Sequence, residues 1–243
     1  MNRPELLNAI NGQLHEELAS VFIDADEDEG SDVIVLTGAG DAFSAGGDME
    51  WLTLNIKQPE EFWRTARHAK RIVSSLLDCT KPIISMVNGP AIGLGASMAL
   101  LSDLIYVADD AIIADPHVKI GFVAGDGGAL IWPQLIGYAR AKEYLLTGDP
   151  VKAVDAERMG LINRAVPRKD LNEVTYKMAN RLAGGALVAI RGTKRAVNIG
   201  LKQLAEAIMD VSLSLEAESN ISRDHKEGIE AFQQKRKPKF TGR

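Results

Sequence analysis

The residues best suited to chemistry in this chain are backbone-exposing glycines rather than an evident cluster of nucleophiles. Three glycine-rich loops recur along it: Gly38–Asp48 (GAGDAFSAGGD), Gly89–Gly95 (GPAIGLG) and Gly121–Gly128 (GFVAGDGG). Glycine after a strand lets main-chain N–H groups come close to something negative. Three chemistries compete for such loops. A dinucleotide-binding turn needs a third glycine, yet Phe43 follows Gly38 and Gly40 at that place, and Met98 follows Gly93 and Gly95. A nucleophile elbow would centre on Ser97 in Gly95-Ala96-Ser97-Met98-Ala99, but this serine falls within a helical pattern, not at a strand-to-helix corner. An oxyanion hole made from two loops, one N–H from each, stabilises charge that develops in the transition state. Spacing alone does not choose among these.

The elements that must carry the loops alternate between strand and helix. Pro4 suits the first turn of a helix, and Leu7, Ile10, Leu14, Leu18 and Val21 then fall on one helical face until the acidic run Asp24–Glu29. Val33–Thr37 reads as a buried strand, Glu60–Leu77 as a helix, and Lys81–Asn88 as a second buried strand entered through Pro82. The second glycine loop runs into the small-residue helix ASMALLSD. Short strands follow at Ile105–Ala108 and Ala111–Ala114, and a helix starts at Ala129. Strand, glycine loop and helix in repeated succession predict α/β layering with parallel strands, and beyond Pro167 the pattern is helical throughout. Arg64, Arg67, Lys70 and Arg71 lie at mixed spacing on their helix and read as a solvated face.

Composition narrows the classes further. The 243 residues, 46% hydrophobic and 25% charged, fit one large globular domain with a full core, or one domain plus a small appendage. A net charge of −5 argues against a general nucleic-acid or anionic-membrane binder. The single cysteine, Cys79, allows no internal disulfide and points to a reducing, cytoplasmic setting. The four histidines (His15, His68, His117, His225) are scattered, so no zinc-like spacing is found and no metal is expected. No apolar run reaches membrane-spanning length, and the first residues carry no secretory pattern.

Taken in order, NRPELLNAIN, TGAGDAFSAGGDM, KPIISMVNGPAIGLGASMALLSD, DPHVKIGFVAGDGGALIWPQLIG, YLLTGDPVKAVDAERMGLINRAV and EGIEAFQQKRKPKF resemble the crotonase (enoyl-CoA hydratase/isomerase) superfamily along nearly the whole chain. The resemblance implies a spiral of ββα units over residues 1–180 and a helical region over 181–243 that associates subunits as homotrimers or homohexamers. Met1 stands directly at the Asn-Arg-Pro segment, where the family has a preceding hairpin, so either the start is placed late or the first strands of the spiral are absent. The implied substrate is an acyl- or enoyl-CoA, with coenzyme A as part of the substrate and no separate cofactor.

Carried over by position, the amides of Gly47 and Leu94 would form the oxyanion hole. Ala45, Gly46, Asp48, Gly93, Trp132, Phe232 and Lys235 would meet the substrate or wall its pocket, Asp48 chiefly by holding its own loop. Where family hydratases place two glutamates, this chain has Ser97 and His117. Serine orients a water without taking its proton; histidine can take one. Asp126 follows His117 by nine residues, and this His…Asp spacing resembles a crotonase-family carbon–carbon hydrolase acting on 6-oxocamphor. The expectations are therefore an enolate-forming hydratase/isomerase, or a C–C hydrolase or lyase of a β-dicarbonyl using His117 and Asp126, or an acyl-CoA binder without chemistry.

Overall fold

A computed structural model describes residues 1–243. The first turn is not helical as expected. Pro4–Leu6 form a single 3₁₀ turn, Leu7 and Asn8 take positive φ, and the helix α1 runs Gly12–Glu27 with the Asn11 side chain accepting from Leu14 N–H as its N-cap. Its buried face is His15, Leu18, Ala19 and Phe22, while Val21 is exposed. Ile10 lies outside the helix and bridges to Gly47, because that placement ties the first residues to the glycine loop.

The remaining elements are β1 (Ile34–Thr37), α2 (Met49–Lys57), α3 (Pro59–Asp78), β2 (Ile83–Val87), β3 (Ala91–Ile92), α4 (Leu94–Leu101), β4 (Leu104–Ala108), β5 (Ile112–Ala114), α5 (Gly128–Thr147), β6 (Val151–Lys152), α6 (Ala153–Met159), β7 (Arg164–Val166), α7 (Leu171–Ala183), α8 (Leu187–Asn220) and α9 (Arg223–Gln233). The strands sort into two sheets. One is parallel throughout, in the order β1-β2-β4-β7, with Ile34 opposite Ile83 and Ile84 opposite Leu104. The other has the order β3-β5-β6, with β3 parallel to β5 and β5 antiparallel to β6. Successive strands β2 and β3, then β4 and β5, alternate between the sheets before a helix follows. This is the spiral of ββα units.

Every residue of β2 is buried, as a strand covered on both faces requires. Helices α1 and α3 pack together, α7 covers β2 and β4, and the 34-residue α8 lies along α3. The Lys194 ammonium, almost fully buried, joins α8 to the sheet by pairing with Asp103 at 2.7 Å and donating to the Lys81 carbonyl. One apolar core of 47 residues runs from α1 to α8. No helix is long and apolar enough to cross a membrane.

Trp132 belongs to that core rather than to a pocket wall. It is 0% exposed, its ring centroid 5.9 Å from that of Tyr144, because its place on α5 turns it into the interior. Trp132→Ala should cost about 3–5 kcal/mol of stability, read as a lower urea midpoint. A smaller loss would mean the site collapses around the shortened side chain.

Candidate active site

The first glycine loop is laid along β3 by main-chain bonds: Ser44 N–H donates to the Pro90 carbonyl and Ile92 N–H to the Ser44 carbonyl. Gly47 is flanked by two bonds to Ile10, whose N–H donates to Gly46 and whose carbonyl accepts from Asp48. In a parallel pairing the middle residue then turns its own N–H the other way. The Gly47 amide donates to no other group of the protein. Leu94 is the first residue of α4, where helical amides have no internal partner, and its N–H is likewise uncommitted. The two loops touch: a side-chain carbon at Gly46 would lie 3.0 Å from the Ile92 carbonyl oxygen, and one at Gly93 would lie 3.9 Å from Gly46 Cα.

Against these loops lies a pocket of about 280 Å³ lined by Ala45, Gly46, Gly47, Gly93, His117 and Phe232, with Met49, Leu52 and Ile120 adding apolar wall. A larger depression of about 650 Å³ at the C-terminal end has only polar and charged walls. Of the residues expected to do chemistry, Gly47 and His117 line the smaller pocket, whereas Leu94, Ser97 and Asp126 do not. Asp48 does not line it. Its carboxylate caps α2 by accepting from Glu50 N–H at 3.0 Å and pairs with Arg3 at 3.2 Å, so it fixes the loop. Lys235 does not line it either. A left-handed turn at Lys235, in which Arg236 N–H bonds back to the Ala231 carbonyl, leaves Lys235 in solvent and brings Arg236 to the pocket. The expected solvated face of α3 includes the ion pair Lys70–Asp210 at 2.6 Å, so part of that face meets α8.

His117 follows β5 on a 3₁₀ turn and lines the pocket, as do Lys119 and Arg236. Its Nδ1 is hydrogen-bonded to Asp115, and its Nε2 faces Asp126 Oδ2 at 3.6 Å. The expected His117–Asp126 pair is thus present, but the closer carboxylate is Asp115, two residues before the histidine. Burial opposes the imidazolium. The charges of Asp115 and Asp126 outweigh it and raise the His117 pKa to about 10. Burial raises Asp126 to about 6 against the pull of His117. Both shifts act in one direction: the carboxylates favour a proton on His117, and burial makes Asp126 a better proton acceptor than a free carboxylate. The donor atoms of Asp115, His117 and Asp126 lie within 4.8 Å of one another, yet each ring nitrogen already faces a carboxylate, so a proton offsets their charge.

Ser97 sits behind this pair on α4, fully buried, and its hydroxyl has no partner within the protein. A third carboxyl group, Glu216 of α8, is buried against the Gly125–Gly128 loop, and burial together with Asp126 raises its pKa well above the usual range. Asp115 and Glu216 were not anticipated. Asp115 offered little signal, since contact between residues two apart depends on the turn. Glu216 did offer one: with Met209, Leu213 and Asn220 it occupies the buried stripe of α8, where an acid is out of place.

The chain matches the family described as enoyl-CoA hydratase/isomerase over residues 1–243, and it belongs to that family. It is 34% identical over 248 residues to a probable enoyl-CoA hydratase of Rhodobacter capsulatus, covering 100% of this chain and 93% of that protein. A crystal structure of an enoyl-CoA hydratase/isomerase from Mycobacterium paratuberculosis superposes with a TM-score of 0.90 at 38% identity, covering 94% of this chain and 91% of that one. A β-diketone hydrolase from the cyanobacterium Anabaena, bound to (S)-3-oxocyclohexyl acetic acid, has a TM-score of 0.82 at 30% identity, with 88% and 85% covered.

His225 of α9 secures the floor of the site. Its Nδ1 bonds to the Ile120 carbonyl at 2.8 Å, and its ring stacks at 4.4 Å on Phe122, which in turn lies beside His117. Burial lowers its pKa to about 4. The folded state thus resists a proton that the unfolded chain takes up near pH 6.5, so stability is lost as pH falls from 6.5 toward 4, by about 3 kcal/mol at most. Urea unfolding between pH 7.5 and 4.5 should show a shallower loss for His225→Gln than for wild type. The difference isolates this group from His15, which burial and His68 hold at about 3.

Proposed function

We propose that the protein is an acyl-CoA enzyme that takes its substrate through a thioester enolate, with addition of water to an enoyl-CoA as its reaction. The observation that carries this reading is the pair of uncommitted amides, Gly47 and Leu94, on touching loops beside His117. Amides already aimed at a developing oxyanion need no reorganisation when the charge appears.

The directions of the two pKa shifts suggest the proton path. Water attacks the β carbon and gives its proton to Asp126, while the thioester oxygen takes the negative charge between the two amides. The His117 imidazolium then protonates the α carbon, and Asp126 returns its proton to His117. Ser97 orients the water. One acid and one base do the work that the family's two glutamates share, with coenzyme A entering as part of the substrate. Residues 181–243 are proposed as the subunit-association region, since Val197 and Val211 of α8 present apolar side chains outward.

A second reading is favoured by the His117–Asp126 geometry and by the likeness to the Anabaena β-diketone hydrolase. Here water adds to one carbonyl of a β-dicarbonyl and its proton goes to Asp126. The carbon–carbon bond breaks, its electron pair enters the enolate, and His117 protonates the carbon.

Crotonyl-CoA and longer or cyclic enoyl-CoAs should lose their conjugated thioester absorbance. His117→Ala and Asp126→Asn should each lower kcat by about 10²–10⁴-fold. Leu94→Pro removes one N–H at a helix position that tolerates proline and should cost about 10²–10³-fold in kcat, with the melting temperature as a control. Cleavage of a β-diketone without enoyl-CoA turnover would establish the second reading. Tight acyl-CoA binding without turnover of either would leave a binding protein.

A further inference from the structure

The motif Gly125-Asp126-Gly127-Gly128 has a structural explanation that reaches beyond the pair it serves. Each glycine leaves room for one polar side chain around Asp126. A side-chain carbon at Gly125 would fall 2.5 Å from Glu216 Oε2, one at Gly127 would fall 3.1 Å from Ser97 Cβ, and one at Gly128 would collide with Asp115 Oδ2. The loop is thus packed against three polar residues from three separate stretches of the chain, and all are buried. Ser97 Oγ, Asp115 Oδ2, Asp126 Oδ1 and Glu216 Oε2 have no hydrogen-bond partner within the protein.

Three carboxyl groups and one imidazole share this enclosed space. A single imidazolium offsets one negative charge, and burying two more unpaired carboxylates beside it is costly. A proton kept on one carboxyl lowers that excess from two negative charges to one. Asp115 is bonded to His117 Nδ1 and Asp126 faces His117 Nε2, which leaves Glu216 as the group without a cationic contact.

We propose that Glu216 is a positioning residue of this site: it stays a neutral carboxylic acid and thereby keeps the negative charge of the buried Asp126–Glu216 pair on Asp126, against His117. This rests on the reading of His117 and Asp126 as the proton-handling pair. The charges that act on Glu216 are those of Asp126 and His117 first, then Asp115. Its burial and the neighbouring Asp126 both favour the protonated form. At alkaline pH, loss of the Glu216 proton would add a charge beside Asp126 and change the balance on which the pair depends.

The test is the infrared spectrum of wild type minus Glu216→Gln, at pH 7 and without substrate. A protonated-carboxyl band in the difference is expected; its absence overturns the proposal. In the turnover assay, Glu216→Gln, isosteric with the neutral acid, should keep kcat within about an order of magnitude of wild type, set against the 10²–10⁴-fold of a lost acid or base. The alkaline limb of its kcat/KM profile should move to higher pH. Loss of activity as large as that of Asp126→Asn, in a variant that melts like wild type, would also overturn it. The spectrum needs no substrate, so failure of the acyl-CoA reading and failure of this proposal give separate results.

Discussion

The arrangement of the site depends on the enclosure of His117 between Asp115 and Asp126. An imidazole buried alone gives up its proton; between two carboxylates it keeps one far above the usual histidine range. That contact neutralises charge that would otherwise oppose folding, and it stores a proton and a proton acceptor side by side. The glycine loop at 125–128 makes it geometrically possible, because any side chain on three of its four residues would drive the polar groups apart. The chemistry follows from a packing condition.

The same economy of space governs the oxyanion side. Both proposed donors are main-chain amides, and each is free for a topological reason: Gly47 because a parallel bridge turns its N–H away from Ile10, Leu94 because it begins a helix. Their environment comes from two different strand–loop crossings brought together by the bonds between the 44–48 segment and β3. No side chain is required at either place, which explains how leucine can stand between Gly93 and Gly95.

Family membership and chemistry stand at different levels of resolution. Membership follows from the match across all 243 residues and from a TM-score of 0.90 to a solved relative. The proposed reaction rests on Ser97 and His117, at the positions where the resemblance to family hydratases implies two glutamates. A fold that stabilises enolates serves several outcomes, and the identity of the acid and base selects among them.

The sequence by itself determined the alternation of strands, glycine loops and helices, the helical C-terminal third, the loops holding Gly47 and Leu94, and the histidine that faces the pocket. These are local or periodic properties, set by hydrophobic spacing and by glycine's freedom from side-chain clash. It misjudged the first ten residues, where apolar spacing imitated a helix that Leu7 and Asn8 interrupt with positive φ. It also placed Trp132 and Lys235 at the substrate, where only the direction of α5 and the turn after α9 decide. Tertiary structure alone decided that Asp115 is the nearer carboxylate to His117, that Glu216 arrives from a helix ninety residues beyond Asp126, and that two carboxylates raise the pKa of the histidine. Those facts depend on distances between groups far apart in the chain and on their removal from water, neither of which residue order encodes directly.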